Sequence, residues 1–296
     1  EEFFLGCGAA PELVSVFRAL AVPGGELLAV APYFPEYKPF AEEAGLIFKV
    51  VPPDVPDFQI NLEALTAMLT PATQAVLLNS PNNPSGVVYT RQTLEALAAI
   101  LRKKAAAFGH PIYLISDEPY RELVYGVEVP YLPAIYPDTI ICYSYSKSLS
   151  LPGERIGYVL VPGSCADSQM VYAAVAGAAR SCGHVCAPSL WQKVIARCAH
   201  LRPDLVSYDR NRQALYQGLT AMGYKMAKPD GAFYLFIQAP GGDASKFSDL
   251  AKKENLLLVP GDGFGCPGYF RICYCVSYDM IQRSLPVFEK LIRQFP

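Results

Sequence analysis

The sequence predicts an α/β protein: a mainly parallel sheet with helices on both faces, followed by a smaller C-terminal α+β lobe. Two observations carry this. The runs GELLAVA, GLIFKVV, QAVLLN, IYLIS and TIICYS alternate with helical stretches such as TRQTLEALAAILRKKAAAFG. They are apolar almost throughout, as strands covered on both sides must be. The chain also has 296 residues, 52% of them hydrophobic, which suffices for a large core and a second, smaller one.

In order, FFLGCGAAPELVSVFRAL reads as strand, glycine turn and amphipathic helix, and GELLAVA and GLIFKVV are the next strands. QAVLLN closes in SPNNPSG, a Pro- and Asn-dense loop that shapes the backbone tightly. After the long helix, the strand from Pro111 to Ile115 ends at Ser116 and delivers Asp117. TIICYSY leads into the serine-rich turn SKSLSLPGER and the β-like run GYVLV. From Ala187 to Leu219 the pattern turns helical and breaks at Pro203, which places a large domain over residues 1–203 and a small one over 204–296. GAFYLFIQ, LLLVPG, YFRICYCV and a helix from Tyr278 make up the small lobe.

Three segments carry chemistry. Lys147 lies in SYSKSLSLPGER with Arg155 eight residues downstream, at a sheet edge where hydroxyls and a guanidinium suit a phosphate. Asp117 stands at the carboxyl end of a strand, where sites collect in α/β sheets, with Tyr120 three residues on. Taken singly, Lys147 also reads as a solvated loop lysine, Asp117 as a helix N-cap and SPNNPSG as a turn.

Together and in this order, SPNNPSG, SDEPY and SYSKSLSLPGERIGY resemble the class I aminotransferases, enzymes of the fold type I pyridoxal-phosphate group. The resemblance runs from GCGAAPE to RICYCVSYDMI and is nearest to the bacterial aspartate, aromatic and broad-specificity transaminases. It implies a seven-stranded large-domain sheet and transamination between an amino acid and a 2-oxo acid, with pyridoxal 5′-phosphate held by Lys147 as a Schiff base. Lys147 would also move the proton. Asp117 would pair with the pyridine nitrogen and keep it protonated, while Asn83 and Tyr120 would hydrogen-bond the ring's phenolic oxygen. Phe34 would stack on the ring, with its neighbour Tyr33 ranked second. Ser144, Arg155 and the backbone amides of Gly8, Ala9 and Ala10 would hold the phosphate; Ser146 is left open. Arg271, flanked by Phe270 and Ile272, would clamp the substrate carboxylate, with Asn83 beside it. Arg180 reads either as a second cation for dicarboxylates, contributed to the partner subunit's site, or as a helix-end charge.

The same resemblance implies a homodimer. It also implies a preceding stretch of chain, since this sequence starts at EEFFLGCG without an initiator Met; the polypeptide reads as incomplete, and turnover by it alone is not expected. Two other readings share these residues: a pyridoxal-phosphate β-lyase, and the ligand-sensing domain of a transcription regulator.

Other classes fail on specific residues. Gly6 and Gly8 follow a strand, but a dinucleotide fingerprint needs a third glycine where Pro11 stands and an acid where the next strand ends in Ala31 and Pro32. Gly263, Gly265 and Gly268 have the GxGxxG spacing but precede a strand, and so read as a shaped loop feeding Arg271. A net charge of −2 with scattered signs gives no footprint for nucleic acid or an anionic membrane. No apolar run approaches a spanning length, no metal set is spaced, and nine cysteines without a CxxC pair read as thiols of a reducing, cytoplasmic compartment. Cys142, Cys273 and Cys275, in strand-like runs, are expected to be buried.

Overall fold

The apolar runs of the first half become seven strands of one sheet. In the computed structural model, which describes residues 2–295, these are β1 (Phe3–Gly6), β2 (Glu26–Val30), β3 (Ile47–Val51), β4 (Thr73–Asn79), β5 (Tyr113–Asp117), β6 (Thr139–Ser144) and β7 (Gly157–Leu160). Their order is β1-β7-β6-β5-β4-β2-β3. β3, β2, β4, β5 and β6 run parallel, whereas β7 pairs antiparallel with both β6 and β1. The mainly parallel sheet read from the sequence is therefore the observed one.

Adjacent residues of a central strand serve opposite cores. Leu27 and Leu77 point to the layer formed by the helices Ala9–Leu20, Tyr37–Glu43 and Ser168–Ser181, where they meet Val16, Phe17 and Val175. Leu28 and Leu78 point to the layer under Leu62–Met68 and Arg91–Phe108, against Leu97 and Leu101. This two-sided burial is why β2 and β6 carry no polar alternation. Each such leucine contributes about 1.5–3 kcal/mol relative to an exposed one.

The second sheet is antiparallel, β8-β10-β9, from β8 (Tyr234–Gln238), β9 (Val259–Pro260) and β10 (Tyr269–Cys273). Phe270 and Ile272 on β10 face a core with Leu215 and Phe288 of the helices Leu205–Ala221 and Tyr278–Ile292. The helical break at Pro203 is real: Asp204 follows it and caps the next helix, its side chain accepting from Ser207 N at 3.1 Å. Backbone hydrogen bonds join the segment before β8 to loops of the first sheet, with Gly231 N donating to Gly86 O at 2.9 Å and Ala232 N to Leu123 O at 2.8 Å. Among the described residues, no helix is long and apolar enough to cross a membrane.

Candidate active site

The carboxyl ends of β4, β5 and β6 deliver Asn79, Asp117 and Ser144 to one mouth, and the loop after β2 brings Phe34 there. The second sheet closes the mouth with Tyr234 and Arg271. A cavity of about 550 Å³ beside β10 and the helix Tyr278–Ile292 and a shallower one of about 630 Å³ are larger, yet neither contains any of these groups; the chemistry sits in a cavity of about 340 Å³.

Asp117 forms its deep end. It is the last residue of β5, buried, with no helix for it to cap. One oxygen, Oδ2, accepts from the hydroxyl of Tyr37 and from Asn79 Nδ2 at 3.4 Å. The other, Oδ1, is buried with no hydrogen-bond partner. Burial pushes the Asp117 carboxyl up to about 7, the Tyr37 hydrogen bond opposing it and Glu118 adding to it. Tyr37 is fully buried and its pKa lies well above the usual phenol range, through burial first and the adjacent Asp117 second, so it stays a donor.

The opposite end is built for an anion. Arg155 faces the cavity with Ser144, Ser146, Ala9 and Ala10. Its Nη1 donates to Ser146 Oγ at 3.4 Å and to Pro152 O at 3.0 Å, and Ser146 Oγ lies 2.8 Å from Ser144 Oγ. Ala9 and Ala10 open the helix Ala9–Leu20, whose first amides lack intrahelical acceptors. Gly8, with φ 92°, precedes them; a Cβ there would lie 2.7 Å from Arg155 Nη2, so the guanidinium would have to shift from its present place.

Lys147 lies between these ends. It occupies a one-turn helix, Tyr145–Ser148, rather than a plain turn, and Ser144 caps that helix by accepting from Ser146 N at 3.2 Å. The ammonium is 5.7 Å from the centre of the Phe233 ring. Burial lowers the lysine's pKa; Cys275 opposes the shift, and Arg155 and Arg271 reinforce it. A half-buried, lowered amine is the form of lysine that attacks a carbonyl.

Arg271, on β10, donates to Asn83 Oδ1 at 2.8 Å and lies over the Tyr234 ring at 4.6 Å. Tyr120 is hydrogen-bonded to Tyr234, hydroxyl to hydroxyl, at 3.1 Å. Both hydroxyls are held neutral, chiefly by burial.

Lys147, Asp117, Tyr120, Asn83, Phe34, Ser144, Arg155, Arg271, Ala9 and Ala10 thus line one cavity, and Gly8 stands directly behind Arg155. Ser146, left open in the sequence, also lines it. Tyr33 does not; its ring packs on Phe48 at 5.3 Å. Arg180 is exposed in the last turn of Ser168–Ser181 and does not line this cavity. Sequence reasoning missed Tyr37, Asn79 and Tyr234. For Asn79 a signal existed, an amide ending an apolar strand that needs a buried partner.

One expectation is corrected. Cys142 is buried, but Cys273 and Cys275 are exposed, because β10 and its extension alternate: Ile272 and Tyr274 turn inward and the cysteines outward. The glycines before β10 behave as read: Gly265 and Gly268 adopt φ 72° and 82° in the loop that leads into the Arg271 strand. Among the described residues no cluster of three or more His, Cys, Asp or Glu side chains is placed to hold a metal.

Residues 2–287 match the family of class I and II aminotransferases, and the chain belongs to that family. It is 31% identical to the aspartate aminotransferase of Thermotoga maritima over 291 residues, covering 96% of this chain and 74% of that protein. It is 28% identical to the aspartate/prephenate aminotransferase of Thermus thermophilus, covering 99% of this chain and 76% of that protein. The crystal structure of an aminotransferase from Eubacterium rectale superposes with a TM-score of 0.97 at 50% identity, covering 99% of this chain and 74% of that one. The protein is an enzyme of the aminotransferase class, and the comparisons do not favour the β-lyase or regulator readings.

Proposed function

We propose that this cavity holds pyridoxal 5′-phosphate and exchanges an amino group between an amino acid and a 2-oxo acid. The observation that carries the reading is Asp117, which lines the cavity together with the arginine-lined anion site and keeps one buried carboxylate oxygen, Oδ1, without a partner. A buried, unpartnered carboxylate oxygen is costly. A pyridinium N–H at one end and a phosphate at the other satisfy both ends at once.

When bound, the cofactor supplies an electron sink for the carbon that loses its proton. This chain's residues do the rest. Asp117, steadied by Tyr37 and Asn79, holds the ring nitrogen protonated. Arg155, Ser144, Ser146 and the amides of Ala9 and Ala10 fix the phosphate, and Gly8 leaves room for Arg155. Phe34 would cover the ring, and Tyr120 and Asn83, which line the same cavity, would hydrogen-bond its phenolic oxygen. Lys147 would hold the cofactor covalently and, as a free amine, would take the substrate's α-proton and return it. Arg271 binds the substrate's α-carboxylate through a fork that lysine lacks.

The test is chemical. Borohydride reduction of the reconstituted protein followed by peptide mapping is expected to find the pyridoxyl group on Lys147; an adduct on another lysine overturns the assignment. The reading extends to lobes dividing near residue 203, a symmetric homodimer and a cytoplasmic setting. Exposed apolar side chains such as Met170 and Leu190 support association, and nine free cysteines support a reducing compartment. Sedimentation of the reconstituted protein checks the dimer.

A further inference from the structure

β8 brings a second group to the Arg271 end of the cavity. Tyr234, the first residue of that strand, pairs with Cys273 and so stands diagonal to Arg271, which pairs with Phe236. The Arg271 guanidinium carbon lies 4.6 Å from the centre of the Tyr234 ring, and the Tyr234 hydroxyl lies 3.1 Å from that of Tyr120. Tyr120 belongs to the loop after β5, so this hydrogen bond joins the two sheets, as the bond from Arg271 to Asn83 does. All four side chains line the cavity.

The two hydroxyls depend on each other. Both tyrosines are buried, and among the described residues neither hydroxyl has a hydrogen-bond partner except the other. As they stand, either oxygen can be the donor. A phenol has a single proton to give, so an anionic oxygen beside Tyr120 decides between them: Tyr120 turns its proton to the anion, its oxygen is left to accept, and Tyr234 becomes the donor. Hydrogen bonds in such a chain polarise one another, which makes Tyr120 a stronger donor than an isolated phenol.

The ring acts on a different neighbour. The guanidinium of Arg271 lies over two aromatic rings, Tyr234 at 4.6 Å and Phe264 at 5.0 Å, while its Nη1 is tied to Asn83. Stacking on a ring face restrains the guanidinium plane, and the plane sets where the fork meets a carboxylate.

We propose, resting on the reading of this cavity given above, that Tyr234 is a positioning residue with two separable parts. Its hydroxyl aims and strengthens the hydrogen bond from Tyr120 to the cofactor's phenolic oxygen, and its ring holds the Arg271 fork for the substrate carboxylate.

The hydroxyl is tested by fluorescence titration of the cofactor-free protein with pyridoxal 5′-phosphate and with an analogue carrying hydrogen in place of the phenolic hydroxyl. Tyr234→Phe is expected to weaken binding of the first about threefold or more and of the second by less than about twofold, and to have no further effect in a Tyr120→Phe background. Equal losses with the two compounds, or additive effects of the two substitutions, would overturn the proposal. Tyr120→Phe alone separates the levels. If it discriminates between the compounds and Tyr234→Phe does not, only the role of Tyr234 fails; if it does not discriminate, the assignment of Tyr120 to the phenolic oxygen fails and this inference with it.

The ring is tested on cofactor-loaded protein by spectral titration with an α-methyl amino acid, which has no α-proton to lose, and with the same amine lacking the carboxylate. Tyr234→Leu is expected to lower the preference for the carboxylated amine about fivefold, and Tyr234→Phe to leave it within about twofold of the parent. An unchanged preference in Tyr234→Leu would overturn the ring's role. Circular dichroism of the variants separates a lost contact from a lost fold, and Tyr234→Phe, which keeps the ring, carries the test if Tyr234→Leu does not fold.

Discussion

Arg271 of the second sheet hydrogen-bonds Asn83 of a loop on the first, from Nη1 to Oδ1 at 2.8 Å, across 188 residues of sequence. The contact continues inward. Asn83 N donates to Asn79 Oδ1 at 2.7 Å, and Asn79 Nδ2 donates to the Asp117 backbone oxygen at 2.9 Å. The group proposed to bind the substrate carboxylate is therefore tied by three hydrogen bonds to the residue proposed to charge the cofactor ring. Such a chain fixes the two sites at one separation, and breaking a link disturbs both ends.

Replacing Arg271 tests the outer end. Arg271→Lys keeps the charge but loses the fork and the geometry over Tyr234 and Phe264, whose rings lie 4.6 and 5.0 Å from the guanidinium carbon. The expected loss in kcat/KM is roughly 100-fold, about 3 kcal/mol, mostly through KM, with a larger loss for Arg271→Ala. Steady-state kinetics with and without a carboxylate on the amine donor measure it. An equal loss for a simple amine lacking the carboxylate would show that Arg271 is structural.

Lys147 makes a prediction in pH. Burial lowers its pKa first, and Arg155 and Arg271 add to the shift. The rate of covalent capture of pyridoxal, an aldehyde without phosphate, should level off below the usual lysine range. Removing a neighbouring cation lets the amine hold its proton to higher pH, so Arg155→Gln should move the midpoint up. An unmoved or lowered midpoint would mean that Arg155 does not act on Lys147.

Much of this site was legible in sequence for a physical reason. Lys147, Asp117 and the SPNNPSG loop each follow an apolar strand of a parallel sheet, so strand ends alone bring them together. Tyr37 was not legible. It belongs to a helix after β2, and its partner Asp117 lies 80 residues later, so only the adjacency of layers in space reveals the pair. Cys273 and Cys275 were misread because YFRICYCV is apolar enough to pass for a buried run. On a sheet with one covered face, alternation decides instead, and Arg271 at the same phase already marked that face as the polar one.

Gly8 tests the anion end. Its φ of 92° disfavours a side chain, and an added Cβ would meet Arg155 Nη2 at 2.7 Å. Gly8→Ala should destabilise the protein by about 1–2 kcal/mol and push the guanidinium away from the cavity. Affinity for pyridoxal 5′-phosphate should then fall severalfold while affinity for pyridoxal stays within about twofold, since only the phosphate contact is lost. Fluorescence titration with both aldehydes checks this, and equal losses would place Gly8 outside the phosphate site.

Asp117 predicts how the cofactor-free protein responds to pH. Its carboxyl is raised, by burial, to about 7 from an ordinary value of 3.8. Below the ordinary value both folded and unfolded chains hold the proton, and no penalty arises. As pH rises through that value the unfolded chain ionises while the folded one stays protonated, so stability falls until about 7 and then levels off. The full drop from this group is on the order of 4 kcal/mol. Asp117→Asn removes the titration, so urea unfolding at pH 5 and pH 8 should give the variant a flatter profile than the parent. The same variant loses the charge that keeps a pyridine nitrogen protonated, and should lose turnover far more than stability. Parallel pH profiles for parent and variant would show that Asp117 is already ionised in the cofactor-free fold, with Oδ1 satisfied by some other group.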